Sequence, residues 1–214
     1  MKIKVFSDIA CPYCYIGLKR LTDTIMEFYA DELIEIEHKP FQLNPNLPKI
    51  EDSKYDDYLM KSYGISEEEV RQMLDNMIKY AEDDNLDFNV MEIKNVNTFD
   101  AHRLIMYAET QGKGLEATEK LMEAYFTLGK NIANYEILSD IGEMIGLDRE
   151  KVLKMLESHE MVSEVNAELV TARYSGVSSV PYFLFDDYYS LRGAQPKEVF
   201  KEVIKDTLAG KLEG

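Results

Sequence analysis

The chain has 214 residues, 45% of them hydrophobic and 30% charged, with a net charge of −16. That is long enough to bury a sizeable core without disulfide staples, and the composition is that of an ordered globular protein. The 24 basic residues sit singly among 40 acidic ones, so no basic patch is present to hold nucleic acid or an anionic membrane, and the acidic excess reads as a solvated surface.

The opening KIKVF alternates and is rich in branched and aromatic residues, as a strand is. It is too short and too charged for the core of a signal peptide, and no later segment approaches the ~18 apolar residues of a membrane span, so a cytoplasmic protein is expected. Cys11-Pro12 then opens a helix to about residue 30, with Leu18, Leu21, Ile25 and Phe28 at helical spacing. A second strand lies in LIEIEHKPF, with Leu33, Ile34 and Ile36 before the turn-forming NPNLP. Strand, helix, strand is a βαβ unit whose two strands run parallel.

From about residue 46 to 172 the pattern is helical. Ser66 and Glu69 make a capping box, followed by an apolar stripe of Val70, Met73, Leu74, Met77, Ile78 and Ala81. Further helices are expected over 98–111, stopping at Gly112; 115–129, carrying Leu121, Met122, Tyr125 and Leu128; 135–145, stopping at Gly146; one capped by Asp148; and 160–174, stopping at Gly176. The methionines read as core filling, since Met suits irregular helix packing. Strand character returns as YFLF, the polar DD and YYSLRG, a hairpin. A last helix starts near Pro196, taken as its first helical residue, and buries Val199, Phe200, Val203, Ile204 and Leu208. The order is β-α-β, a helical insertion, β-β-α. Two strand-bearing ends that cannot cover their apolar faces alone must share one sheet. The expected organisation is a discontinuous α/β domain, 1–45 and 173–214, interrupted by an all-helical domain, 46–172.

Cys11 and Cys14, in FSDIACPYCYIG, are the only cysteines. Packing would be an unusual use of two cysteines between a strand and a helix start. A structural zinc site wants four ligands, and there is no second such pair, only His38, His102 and His159, which lack paired spacing. Thiol-disulfide exchange needs little more than what is visible. The free N–H groups and dipole of a helix start favour a thiolate at Cys11, the expected nucleophile, and Cys14, one turn inside, would resolve the mixed disulfide. Pro12 fits the first helical position, where its missing N–H is no loss. In the assembled sheet Pro181 of SVP would face the cysteines, where a cis Val180-Pro181 bond would turn the Val180 backbone toward an extended substrate. An ordinary trans, strand-starting proline is the alternative, and the commoner state.

SDIACPYCYIG, FQLNP, NTFDAHRL, GVSSVPYFLF and LRGAQP, in this order and over nearly the whole chain, resemble the DsbA-like thioredoxin-fold proteins of the FrnE-like subfamily. Related families are the 2-hydroxychromene-2-carboxylate isomerases and kappa-class glutathione transferases. The resemblance implies a thioredoxin-like fold with a large helical insertion, Cys11 and Cys14 as redox centre and Pro181 as the adjacent cis-proline. It also implies a cleft lined by Asp8, Gln42, Asn44, Asn97, Thr98, His102 and Gln195. Simpler roles stand beside these: Asp8 as a turn cap or as a proton acceptor for the cysteines, Asn97 or Thr98 as a helix cap, His102 as a hydrogen-bonded interior histidine. The isomerase and transferase relatives generally place Ser where Cys11 stands, and Tyr13 stands where many subfamily members have Trp, leaving an aromatic for substrate packing.

The expected function is dithiol-disulfide exchange through Cys11 with disulfides of proteins or small molecules. A thiol donor or acceptor serves as partner, with glutathione as a redox partner rather than a bound cofactor. No metal is expected, and no Gly-rich phosphate loop follows a strand. The alternatives are a glutathione-dependent isomerase or transferase acting on a small aromatic substrate, and a chaperone-like binder of unfolded chains.

Overall fold

β1 (Lys2–Ser7) and β2 (Glu35–Pro40) flank α1 (Pro12–Glu27) and pair in parallel, with Ile3 opposite Ile36 and Val5 opposite His38. The structure, a computed structural model, describes residues 1–27, 33–50 and 54–210. Phe28, expected on the apolar side of α1, lies outside them. At the far end of the chain β3 (Tyr182–Phe185) and β4 (Tyr189–Arg192) form the expected hairpin. Its turn runs through Asp186 and Asp187 at φ 44° and 63°, a left-handed conformation that Asp tolerates better than most residues. β3 runs antiparallel to β1, so the sheet order is β2-β1-β3-β4 and the two ends of the chain close one thioredoxin-like sheet.

Alternation assigns the two faces. Ile3, Val5, Phe183, Phe185 and Leu191 pack with Leu21 and Ile25 of α1 and with Phe200, Val203 and Ile204 of α9 (Lys197–Leu208). Phe183 meets Phe200 edge to face at 4.9 Å, an arrangement worth about 0.5–1.5 kcal/mol beyond burial. On the other face Phe6 packs with Ala172 of α8 (Val162–Tyr174) and Val177.

Between β2 and β3 come α2 (Tyr55–Tyr63), α3 (Glu67–Glu82), α4 (Phe99–Glu109), α5 (Gly114–Phe126), α6 (Tyr135–Met144), α7 (Arg149–Glu157) and α8. Their core is continuous with Cys14, Ile16 and Leu18, so α1 belongs to both this core and the sheet's. Tyr15 stacks on Phe88 and Phe126 at 5.8 and 6.2 Å. Arg20 bonds Asp84 at 2.7 Å and the Ala194 carbonyl at 2.8 Å, tying α1 to the helices on one side and to the segment after β4 on the other.

The expected caps form. Ser66 Oγ accepts the Glu69 N–H while Glu69 accepts the Ser66 N–H at 2.8 Å, and Asp148 caps α7. Ser66→Ala is expected to cost about 1 kcal/mol, read as a fall of roughly 2–4 °C in Tm, with no change at the cysteines; an unshifted Tm would contradict the cap's role.

Four sequence expectations are corrected. Leu128 is exposed, because α5 ends at Phe126 and the chain turns away at Gly129 with φ 59°, so helical phase no longer applies. Leu208, the last residue of α9, is also exposed. Leu33 lies outside β2, which joins the ladder only where the Glu35 N–H donates to the Met1 carbonyl. Pro196 has ψ 151°, so it stands just before α9 rather than within it.

Candidate active site

Cys11 precedes α1 and Cys14 sits in its first turn, both as free thiols. The turn is closed by the Cys11 N–H donating to the Asp8 carbonyl at 3.1 Å and the Cys14 N–H to the Cys11 carbonyl at 3.0 Å. Pro12 is the first helical residue, as its spacing predicts. Cys11 keeps 5% of its surface and Cys14 none. Burial pushes the Cys14 thiol well above its ordinary value, and its hydrogen bond to Cys11 adds to the effect; the Asp8 backbone N–H works against it.

The Val180-Pro181 bond is cis, as the resemblance implies. Cys11 Sγ lies 4.0 Å from the Val180 carbonyl, while the Pro181 carbonyl is taken by the Gly193 N–H at 2.8 Å. Gly17 eases this approach: a Cβ there would meet Phe183 at 3.1 Å and Pro181 at 3.2 Å, so a larger residue would require those side chains to shift by a few tenths of an ångström.

Asp8 is buried beside the pair. Its Oδ2 accepts the Leu43 N–H at 2.7 Å, and its Oδ1 lies 3.5 Å from the Ala10 nitrogen and 3.4 Å from His102 Nε2. The Ala10 contact is the turn cap, and the other two show that Asp8 does more than cap. Gln42 Nε2 donates to Asn97 Oδ1 at 3.2 Å and lies 3.4 Å from Thr98 Oγ1. Asn97, not Thr98, supplies the side-chain bond at the start of α4, to the Phe99 N–H. Asn44 reaches the Tyr58 hydroxyl at 3.4 Å. Asp8, Asn44 and Thr98 share a cavity of about 40 Å³ with Asn95, whose buried Nδ2 is the one such side-chain atom without a partner among the described residues. Tyr13 projects outward, 43% exposed, and meets Tyr80 edge-on at 6.4 Å. Gln195 is apart from this cluster: its side chain donates to the Arg192 carbonyl at 2.7 Å.

His38, considered from the sequence only as a metal donor, is a buried member of the cluster, with Nε2 3.2 Å from His102 Nδ1. Its alternation with Ile36 and Pro40 along β2 already marked an inward position, and a polar residue there is the signal. Burial depresses its pKa well below the ordinary 6.5. The unfolded chain therefore binds a proton that the folded chain does not. Stability is full above about pH 6.5 and falls as pH drops below it, by up to about 1.4 kcal/mol per pH unit from this group. Denaturant titrations of wild type and His38→Gln between about pH 7 and 5 check this; equal slopes would contradict it.

A cysteine pair at a helix start, set against the first residues of a neighbouring strand in a thioredoxin-like sheet, defines a thioredoxin-fold oxidoreductase. Residues 2–205 match the DSBA-like thioredoxin domain family, and the chain belongs to it. It is 24% identical over 206 residues to the uncharacterized protein YwbO of Bacillus subtilis (strain 168), covering 95% of this chain and 96% of that one. A probable DsbA oxidoreductase from Streptomyces coelicolor superposes with a TM-score of 0.91 at 29% identity, over 98% of this chain and 90% of that one. The cytosolic disulfide reductase DsbM from Pseudomonas aeruginosa, solved with GSH, shares the fold at a TM-score of 0.68 and 13% identity, over 98% of this chain and all of that one. No described helix is long and apolar enough to cross a membrane.

Proposed function

We propose that the protein is a cytoplasmic dithiol-disulfide oxidoreductase in which Cys11 exchanges with disulfides of proteins or small molecules and Cys14 resolves the product. The observation that carries it is the placement of the partly accessible Cys11 at a helix start against the Val180 carbonyl, with the inaccessible Cys14 one turn behind it, its N–H bonded to the Cys11 carbonyl. In the reducing direction the Cys11 thiolate attacks one sulfur of the substrate disulfide, and the other sulfur leaves with the bonding electrons and takes up a proton. Cys14 then loses its proton to the Asp8 carboxylate and attacks Cys11 Sγ. The Cys11–Cys14 disulfide forms as the second substrate thiolate departs, so two electrons pass from the protein to the substrate. The opposite direction is the same path reversed. Val180 presents its backbone to an extended substrate, Tyr13 offers an aromatic rim, and Gln42, Asn44, Asn97 and Thr98 line or border the approach. Glutathione serves as thiol partner, a reading supported by the glutathione-bound DsbM structure. The isomerase or transferase alternative is not favoured, because a thiol at Cys11 replaces the hydroxyl that such enzymes generally place beside glutathione.

Equilibration in graded glutathione buffers, followed by acid trapping, alkylation and mass measurement, tests this. One two-electron transition is expected, in which Cys11 and Cys14 become unavailable together and the mass falls by two hydrogens. If no buffer composition yields an internal disulfide, the reading is wrong.

A further inference from the structure

A buried chain of hydrogen bonds runs away from the cysteine pair. Ser7 Oγ lies 3.2 Å from His38 Nδ1, His38 Nε2 lies 3.2 Å from His102 Nδ1, and His102 Nε2 lies 3.1 Å from the Phe41 carbonyl and 3.4 Å from Asp8 Oδ1. The two rings are stacked, 5.4 Å apart. Ser7, Asp8, His38 and His102 are all at most 6% exposed.

One fixed point sets the direction of every bond. A carbonyl only accepts, so His102 Nε2, facing Phe41, carries a hydrogen. In a neutral ring the other nitrogen then accepts, which makes His38 Nε2 the donor to His102 Nδ1. His38 Nδ1 is left to accept, and the Ser7 hydroxyl donates to it. The reverse order would aim a nitrogen lone pair at two acceptor oxygens. The donors thus run toward the Phe41 carbonyl and Asp8, whose carboxylate faces the N–H groups of Leu43, Ala10 and His102.

We propose that His38 is a positioning residue for the redox site: its Nε2–H fixes His102 in the tautomer whose Nε2–H faces the Phe41 carbonyl and Asp8, and so holds the Asp8 side chain in place to take the Cys14 proton. This rests on the exchange reading above. The step is the resolving one: the Cys14 S–H proton passes to Asp8, Cys14 Sγ bonds to Cys11 Sγ, and the substrate sulfur leaves Cys11 with the electron pair. The other charged and titratable groups around His38 are Glu37 and Lys39 on β2, Glu109 of α4, which accepts the His38 N–H at 3.1 Å, and Glu168 of α8, paired with Lys39 at 2.8 Å. They bracket the strand rather than enter the chain of rings.

The test has two arms on the full-length protein. Long-range nitrogen–proton spectra of histidine-labelled wild type should show His38 and His102 as neutral Nε2–H tautomers; an Nδ1–H tautomer at either overturns the proposal. Stopped-flow measurement of internal disulfide formation after Cys11 is loaded with glutathione should show His38→Leu slowed about tenfold near pH 7. The deficit should shrink as pH rises and Cys14 loses its proton to solvent hydroxide instead. His38→Gln, whose side-chain amide can still donate, should keep the wild-type pH profile. A deficit equal at every pH marks a purely structural role and overturns the proposal. Should His38→Leu not fold, the tautomers and the His38→Gln profile decide the matter. Failure of wild type to form any internal disulfide sinks the exchange reading itself, a different result from wild-type exchange with an unaltered His38→Leu profile.

Discussion

Cys11→Ser is expected to lose measurable thiol-disulfide exchange while keeping its fold. The serine oxygen fits the same space beside the Val180 carbonyl but is scarcely ionised at neutral pH and forms no bond to sulfur that a second thiol can resolve. Cys14 cannot substitute: it has no exposed surface, and burial holds its thiol protonated well above the ordinary range. Cys14→Ser should behave differently. It leaves the first attack intact and removes the resolving group, so Cys11 accumulates as a mixed disulfide with the substrate, visible as an adduct mass. Wild-type exchange in Cys11→Ser would remove the basis of the proposed chemistry.

The second large effect concerns stability. All five guanidinium N–H groups of Arg103, 3% exposed, have acceptors: Asp100 Oδ1 at 2.7 Å and the carbonyls of Leu156 at 3.1, Met155 at 2.7, Ser158 at 2.9 and Glu160 at 3.0 Å. They gather the carbonyls that end α7 and begin the following turn. Arg103→Leu fills part of the volume but leaves those carbonyls without their donors, and among the described residues Asp100 retains only Lys49, at 2.6 Å, as a cationic partner. Breaking such a buried pair costs about 3–5 kcal/mol, so thermal unfolding should shift down by roughly 6–20 °C. Arg103→Lys, with three donors in place of five, should lie between. A Leu variant melting with the wild type would show that the network adds nothing. His102 lies next to Arg103 on α4, so one helix anchors both this network and the site.

Wherever local chemistry decides, the chain was readable. Ser66 with Glu69, Asp148, and Gly112, Gly146 and Gly176 at positive φ mark helix ends through side-chain caps and backbone freedom. The Cys-x-x-Cys pair marks its own helix start. Leu128 and Leu208 misled because periodicity carries no information about where a helix stops meeting its neighbour. The cis Val180-Pro181 bond was legible only through family resemblance, since trans proline is the general expectation. The join between His38 on β2 and His102 on α4 was not legible at all. It is made across 64 residues by tertiary packing, and nothing in either local segment announces the other.

The pairing of β1 with both β2 and β3 also bears on the order in which the protein is made. β2 is available to β1 as soon as Pro40 has been made, but β3, whose register sets Ile3 against Phe185, arrives only after the helices α2 to α8 between them. Throughout that interval one edge of β1 lacks its native partner, a hazard for association with other chains. Cys11 likewise lacks the Val180 carbonyl until the late segment docks. The two cysteines are made well before Val180, which follows Cys11 by 169 residues, so the site that would use them is assembled long after they appear. A nascent chain therefore carries reactive sulfur before it has a place to employ it, and premature oxidation during synthesis is a risk inherent in the strand order.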